Sequence, residues 1–177
     1  MLDKGMPRIL VTPLSALEDA ILQHRPSHVV SLLSPNHMIE TPAGFPLERH
    51  LRLGVNDIVD PGAGDAPPMR IHIDQLLEFS RGWDGGAPFL IHCWAGISRS
   101  MASAFTVLCD RLGPDREMEI AMAMRRRAPH ANPNRLLVAH ADEALDRGGR
   151  MVSAVHAMGS PLMVEEGVAT AFPLVNL

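Results

Sequence analysis

The sequence predicts a single α/β domain: a central, mostly parallel sheet of four to five strands flanked by helices. Three observations predict it. Short apolar runs alternate with helical stretches, the order that lays strands side by side in parallel with helices on both faces. One run, Phe89 to His92 (FLIH), is continuously apolar and bounded by turn signals, as suits a central strand. The length, 177 residues, is that of one ordinary domain with a sizeable core.

Each element has its own justification. Arg8 to Thr12 (RILVT) reads as a first strand. Ser15 to His24 reads as a helix: Ser15 and Glu18 are spaced as a capping box, and Leu17, Ala20 and Ile21 share a face. His28 to Leu33 (HVVSLL) is a second strand. From His50 to Val55, Leu51, Leu53 and Val55 alternate with His50, Arg52 and Gly54, which predicts a strand with one buried face. Asn56-Asp57 lead into a turn-rich surface loop carrying Pro61, Gly62, Gly64, Pro67 and Pro68.

A helix starts near Pro68, puts Met69, Ile73, Leu76 and Leu77 on one side, and ends at Gly82 to Pro88. After the FLIH strand a strongly apolar helix begins at Ser98, with Met101, Phe105, Leu108, Cys109 and Leu112 inward, and Gly113-Pro114 stops it. Asp115 is placed to cap a helix running to about Arg127. Asn132 and Pro133 supply a cap and a first-turn proline for a helix ending at Gly148-Gly149. Residues 1–150 are read as one domain, and 151–177 as a C-terminal extension packed on it or wrapping it, with or without a further strand.

Composition narrows the class. Hydrophobic content of 46% with 20% charged residues is that of a soluble globular protein. Neither a leading basic-plus-apolar segment nor an apolar run of spanning length stands out, so a cytoplasmic protein without membrane partners is expected. The net charge is -4 and basic residues are thinly spread, which argues against nucleic acid. The one basic cluster, Arg125-Arg126-Arg127, falls at a helix end, where it would complement the dipole and stay solvated. Two cysteines, Cys93 and Cys109, suit a reducing compartment.

The chemistry concentrates in His92-Cys93-Trp94-Ala95-Gly96-Ile97-Ser98-Arg99-Ser100, between a buried strand and a helix start. Ligands of open α/β sheets bind beyond the carboxyl ends of the strands. A helix amino terminus favours an anion, and the loop from Trp94 to Ser98, with Gly96 free to take an unusual backbone angle, could curl its amides around a phosphate. A thiolate at Cys93 would be stabilised there and is the nucleophile that attack on phosphorus requires. Arg99 offers a planar fork of donors matching two phosphate oxygens and the charge spread over a phosphoryl transition state. Ser100 could donate to the Cys93 sulfur, and His92 would face inward and orient the loop.

This segment matches every fixed position of HCxxGxxRS and so resembles the signature loop of the protein tyrosine phosphatase superfamily. Its mid-chain position is similar to that in the dual-specificity branch, small bacterial members included. The resemblance runs from Arg8 to Leu145 and implies a phosphocysteine mechanism with no cofactor and no metal. It also implies a general-acid aspartate on a movable loop some thirty-odd residues upstream, which selects Asp57, with Asp60 and Asp65 as rivals on the same loop. Pro133-Asn134 resembles the segment whose asparagine supports the phosphate loop.

The expected substrates are a phosphorylated protein or a small aryl phosphate, with phosphate or sulfate able to occupy the loop. A loop without lysine disfavours phosphoinositides. Two other classes stay open: a phosphate-binding module without turnover, and a rhodanese-like sulfur-transfer or arsenate-reducing enzyme that would not need Asp57. Cys109 reads as a small buried hydrophobe, with a redox partnership to Cys93 as the alternative.

Overall fold

The computed structural model describes residues 6–177. Among them five strands form one sheet, ordered β3-β2-β4-β1-β5. The strands are β1 (Arg8–Pro13), β2 (His28–Leu33), β3 (His50–Gly54), β4 (Phe89–Cys93) and β5 (Thr170–Pro173). β4 lies between β1 and β2 and runs parallel to both; β3 is parallel to β2, and β5 is antiparallel to β1. The arrangement is the mostly parallel α/β sheet that the alternation of elements predicts, with the antiparallel member at one edge.

Period-two alternation divides the core between the two faces. Leu10, Val29 and Leu90 point to the side covered by α1 (Leu17–His24), which contributes Leu17 and Ala20. Ile9, Val11, Val30, Leu32, Phe89 and Ile91 point to the other side. There they meet α2 (Arg70–Arg81), α3 (Arg99–Leu112), α4 (Glu117–Arg127), α5 (Arg135–Ala144) and α6 (Arg150–Ala157). Inclusion of α3 in this layer is complete: every residue from Arg99 to Cys109 is buried, not one inner face alone. It packs on β1, β4, α2, α4 and α5 at once. Its polar residues survive burial by back-bonding, Ser103 Oγ to the Arg99 carbonyl at 2.9 Å and Thr106 Oγ1 to that of Ala102 at 2.8 Å.

Several local expectations give way to tertiary bonds. Leu14 to Ala16 form a 3₁₀ turn and α1 starts at Leu17, so Ser15 and Glu18 make no capping box. Ser15 Oγ instead donates to Glu166 Oε1 at 2.7 Å. Asp115 does not cap α4: it takes a left-handed φ of 66° and its carboxylate faces Arg150 at 3.6 Å. Asn134, not Asn132, caps α5, accepting from the Leu136 and Leu137 amides at 3.1 and 3.0 Å. That helix stops at Ala144 rather than Gly149, because Asp142 turns back to accept the amides of Gly149 and Met151 at 2.6 and 2.7 Å and thereby starts α6.

Arg125 is likewise not a solvated charge. Its guanidinium donates to the carbonyls of Pro129, Ala131, Met158 and Gly159, tying the loop after α4 to the end of α6. Beyond α6 the chain crosses back towards the carboxyl ends of the strands before pairing as β5; Leu162 N–H reaches the Pro129 carbonyl and Gly167 N–H the Ala95 carbonyl. His24 and His28 stand four apart in sequence but fall on α1 and β2, separated by Pro26.

Candidate active site

Strand β4 delivers Cys93 to the carboxyl edge of the sheet, and α3 starts six residues later at Arg99. Between them the chain is bent throughout, not extended. Gly96 supplies the sharpest turn, with φ at +69°. A Cβ there would sit 2.7 Å from the Pro13 nitrogen and 2.9 Å from the Thr12 carbonyl carbon, so both the angle and the close approach to β1 demand glycine.

The loop's carbonyls are turned outward onto fixed donors. Leu14 N–H bonds the Trp94 carbonyl at 3.0 Å, Gly167 N–H that of Ala95 at 2.8 Å, and Asn132 N–H that of Ile97 at 2.9 Å. The Ser98 carbonyl takes the Ala102 and Asn134 amides at 2.9 and 3.2 Å. In a trans peptide the N–H points opposite to the C=O, and no bond among the described residues is cis. The amides of Ala95, Gly96, Ser98 and Arg99 are therefore directed away from these partners, which is the geometry of an anion cradle. Ser98, at the cap position of α3, makes no side-chain cap, so the helix amino terminus keeps its N–H groups for the same side.

Cys93 Sγ lies 3.1 Å from Ser100 Oγ, and both residues are buried. Arg99 is 7% exposed; its Nη1 donates to the Val55 carbonyl at 2.9 Å, while its Nε, also buried, has no protein partner. A buried cationic donor without an acceptor is costly, and an oxyanion in the loop would relieve it. His92 is fully buried; its Nε2 meets Ser31 Oγ at 2.6 Å and its Nδ1 faces the Cys93 carbonyl at 3.3 Å. Burial, chiefly, holds its pKa down at about 4, with the charges of His50 and Arg99 acting the same way. The ring is neutral in the physiological range.

Asp57 joins this constellation. The loop after β3 is tied at its base by Asn56, whose N–H reaches the Ala66 carbonyl and whose side-chain amide reaches that of Asp65. Asp57 Oδ1 accepts from Ser98 Oγ at 2.6 Å and from Asn134 Nδ2 at 2.8 Å. The same Asn134 nitrogen reaches the Ile58 carbonyl at 3.1 Å. One asparagine thus links three segments: the loop of Asp57, the loop of Cys93 through its own N–H, and the first turn of α5. Asp60 and Asp65 make no such link; Asp60 accepts the Gly62 amide within its own turn, and both are exposed.

Of the remaining expected residues, Trp94 is 56% exposed with its ring edge-on to His37 at 5.9 Å, and Ala95, Ile97 and Ser98 are half-buried. Cys109 lies within α3, where burial first and the nearby acidic groups second push its thiol well above the usual range. Residues that the sequence patterns did not single out are Ser31, Thr41 and His50, which continue the hydrogen bonds of His92, and Gly167, which braces the loop from the C-terminal segment. A lone serine within the apolar run HVVSLL is the one signal that could have flagged the first of them. Among the described residues no group of three or more potential ligands could hold a metal ion, and no helix is long and apolar enough to cross a membrane.

No family model matches the chain, and no curated protein matches it by sequence. Solved structures do. A human tyrosine phosphatase-like serine/threonine/tyrosine-interacting protein is 22% identical, with a TM-score of 0.60 over 77% of this chain and 89% of that one. Human DUSP28 is 18% identical, with a TM-score of 0.56 over 85% of this chain and 95% of that one. PTPMT1, solved in complex with PI(5)P, is 16% identical, with a TM-score of 0.56 over 89% of this chain and 96% of that one. These likenesses establish the fold, one shared with the dual-specificity phosphatases.

Proposed function

We propose that the protein is a cysteine-dependent phosphatase that hydrolyses phosphate monoesters through a phosphocysteine intermediate. One observation carries the reading: the carboxylate of Asp57 is bonded to Ser98, within the loop that connects Cys93 to Arg99. Nucleophile, anion cradle and acid thereby converge on one small region at the carboxyl ends of the strands.

In the first step the Cys93 thiolate attacks phosphorus. The S–P bond forms as the P–O bond to the leaving group breaks, and Asp57 gives its proton to the departing alcohol or phenol oxygen. With Oδ1 held by two donors, Oδ2 is the oxygen that would carry that proton. Arg99 and the loop amides balance the charge on the transferring oxygens. In the second step water attacks phosphorus, Asp57 takes its proton, and the S–P bond breaks as Ser100 donates to the departing sulfur. Inorganic phosphate leaves. His92 and Asn134 hold the loops in register, Trp94 to Ser98 wrap the phosphate, and residues 151–177 act within the same domain by bracing Ala95.

The substrate class is a phosphoprotein or a small aryl phosphate. The loop interior, Trp94-Ala95-Gly96-Ile97-Ser98, has no lysine to meet the additional phosphates of an inositol lipid, although one neighbour was solved with PI(5)P. The reading places the protein in a reducing, cytoplasmic setting. The test is hydrolysis of an aryl phosphate. Cys93→Ser should abolish turnover while keeping vanadate binding. Asp57→Ala should lower kcat by about a hundredfold or more for alkyl phosphates, whose leaving groups need a proton, and less for good leaving groups. A wild-type protein that binds vanadate without turnover would instead be a binding module. Full activity in Asp57→Asn would favour sulfur-transfer or arsenate-reducing chemistry.

A further inference from the structure

A chain of hydrogen bonds, buried except at its half-buried Thr41 end, runs from the loop after β2 to the backbone of Cys93, and its directions follow from its end points. His92 Nδ1 faces the Cys93 carbonyl, which can only accept, so Nδ1 carries the hydrogen. In the neutral ring Nε2 is then an acceptor, and the atom 2.6 Å from it is Ser31 Oγ, which must donate its single proton there. Having spent that proton, Ser31 Oγ can only accept from its other neighbour, His50 Nε2 at 2.8 Å, so His50 carries its hydrogen on Nε2. Its Nδ1 becomes an acceptor, and Thr41 Oγ1 at 2.9 Å donates to it. Every bond in the series points the same way, towards Cys93.

The placement is unusual for the residues involved. Ser31 is fully buried in a central strand and His50 is 8% exposed at the start of β3, in a register where β2 and β3 pair Ser31 with Arg52 rather than with His50. Each would carry a desolvation cost were its hydrogen bonds not complete. Together they leave the His92 ring one low-energy tautomer.

We propose that Ser31 and His50 are positioning residues for the phosphate loop: they fix His92 as its Nδ1–H tautomer, which pins the Cys93 carbonyl and so turns the Trp94 N–H away from His92, to join the other loop amides. The opposite tautomer would set a ring lone pair against the Cys93 oxygen and free that peptide to rotate. The proposal rests on the phosphatase reading for its effect on turnover, but the tautomer itself does not.

The experiment therefore has two arms. In nitrogen-15 NMR of the histidine side chains, wild type should show His92 with a protonated Nδ1 and an unprotonated Nε2, and His50 with the reverse; the opposite assignment at His92 overturns the proposal whether or not the protein turns over substrate. In the second arm, Ser31→Ala and His50→Leu should each lower kcat for an aryl phosphate by about five- to tenfold with little change in KM, the scale of one lost hydrogen bond. His50→Gln, whose side-chain amide nitrogen can replace Nε2–H, should restore most of that loss. Unchanged kcat in folded Ser31→Ala and His50→Leu, or no rescue by glutamine, overturns it. Absence of all turnover in wild type would fail the phosphatase reading instead, leaving the NMR arm to decide.

Discussion

At Gly96 a side chain has nowhere to go. A Cβ would press on the backbone of Thr12 and Pro13 at 2.9 Å or less, and backbone cannot swing aside as a side chain would. A left-handed φ adds roughly 1–3 kcal/mol for any other residue. Gly96→Ala should therefore destabilise the fold by about 2 kcal/mol or more, seen as a lower urea midpoint, and should cost at least tenfold in activity as the loop shifts. A variant with unchanged midpoint and unchanged activity would mean that the loop tolerates a different path. His92 makes the second residue-scale argument. Its pKa, about 4 in the fold, lies below the ordinary 6.5, so between those values the unfolded chain takes up a proton that the folded chain excludes. Stability contributed by the neutral ring is complete above pH 6.5 and is lost as pH falls towards 4, by on the order of 3 kcal/mol. Burial lowers His28, His50, His72 and His130 in the same direction. Urea unfolding at pH 7 and at pH 4.5 measures the slope; His92→Gln should flatten it, and an equal slope in that variant would deny His92 the role.

At the scale of elements, Asn134 decides how the site is assembled. It caps α5, holds Asp57, and bonds the Ser98 carbonyl, so three segments meet on one side chain and its own amide. Asn134→Ala should lower kcat for alkyl phosphates about tenfold and cost about 1 kcal/mol through the lost cap; Asn134→Asp should keep the cap but still misplace Asp57, because its side chain has no N–H to donate. If Asn134→Asp retained full activity, the bond to Asp57 would be idle. The same residue marks what the sequence made legible. The loop of Cys93 and its strand-then-helix setting were readable because backbone geometry there depends on neighbours in sequence. Asn134 was singled out by the Pro133-Asn134 pair, but Asn132 took its place as the expected cap, since both precede a helical stretch and only the fold decides which one has room. Ser15, Asp115 and Arg125 were misread for the same reason: each trades a local bond for a partner that tertiary packing brings, Glu166, Arg150, or the carbonyls of Pro129 to Gly159.

Across the whole molecule, the loop from Cys93 to Arg99 is held from several sides. β1 supports Gly96 from behind, Leu14 and Gly167 grip the Trp94 and Ala95 carbonyls, Asn132 and Asn134 grip those of Ile97 and Ser98, and α3 anchors the far end in the core. The parallel order of the sheet follows from alternating strands and helices, so it was legible; the antiparallel β5 was not, because Thr170 to Pro173 is too short to carry a pattern. On the proposed reading, this multiple bracing would pre-organise the N–H groups before a substrate arrives, which is where electrostatic catalysis gains most. The central claim is that phosphorus passes through the sulfur of Cys93. The most direct test is rapid-quench mass spectrometry of the Cys93 peptide from Asp57→Asn, mixed with an aryl phosphate whose leaving group needs no proton, since loss of the base should let the intermediate accumulate. The account predicts one phosphoryl group on Cys93; phenol release with Cys93 unmodified, or the phosphoryl group on another residue, would contradict it.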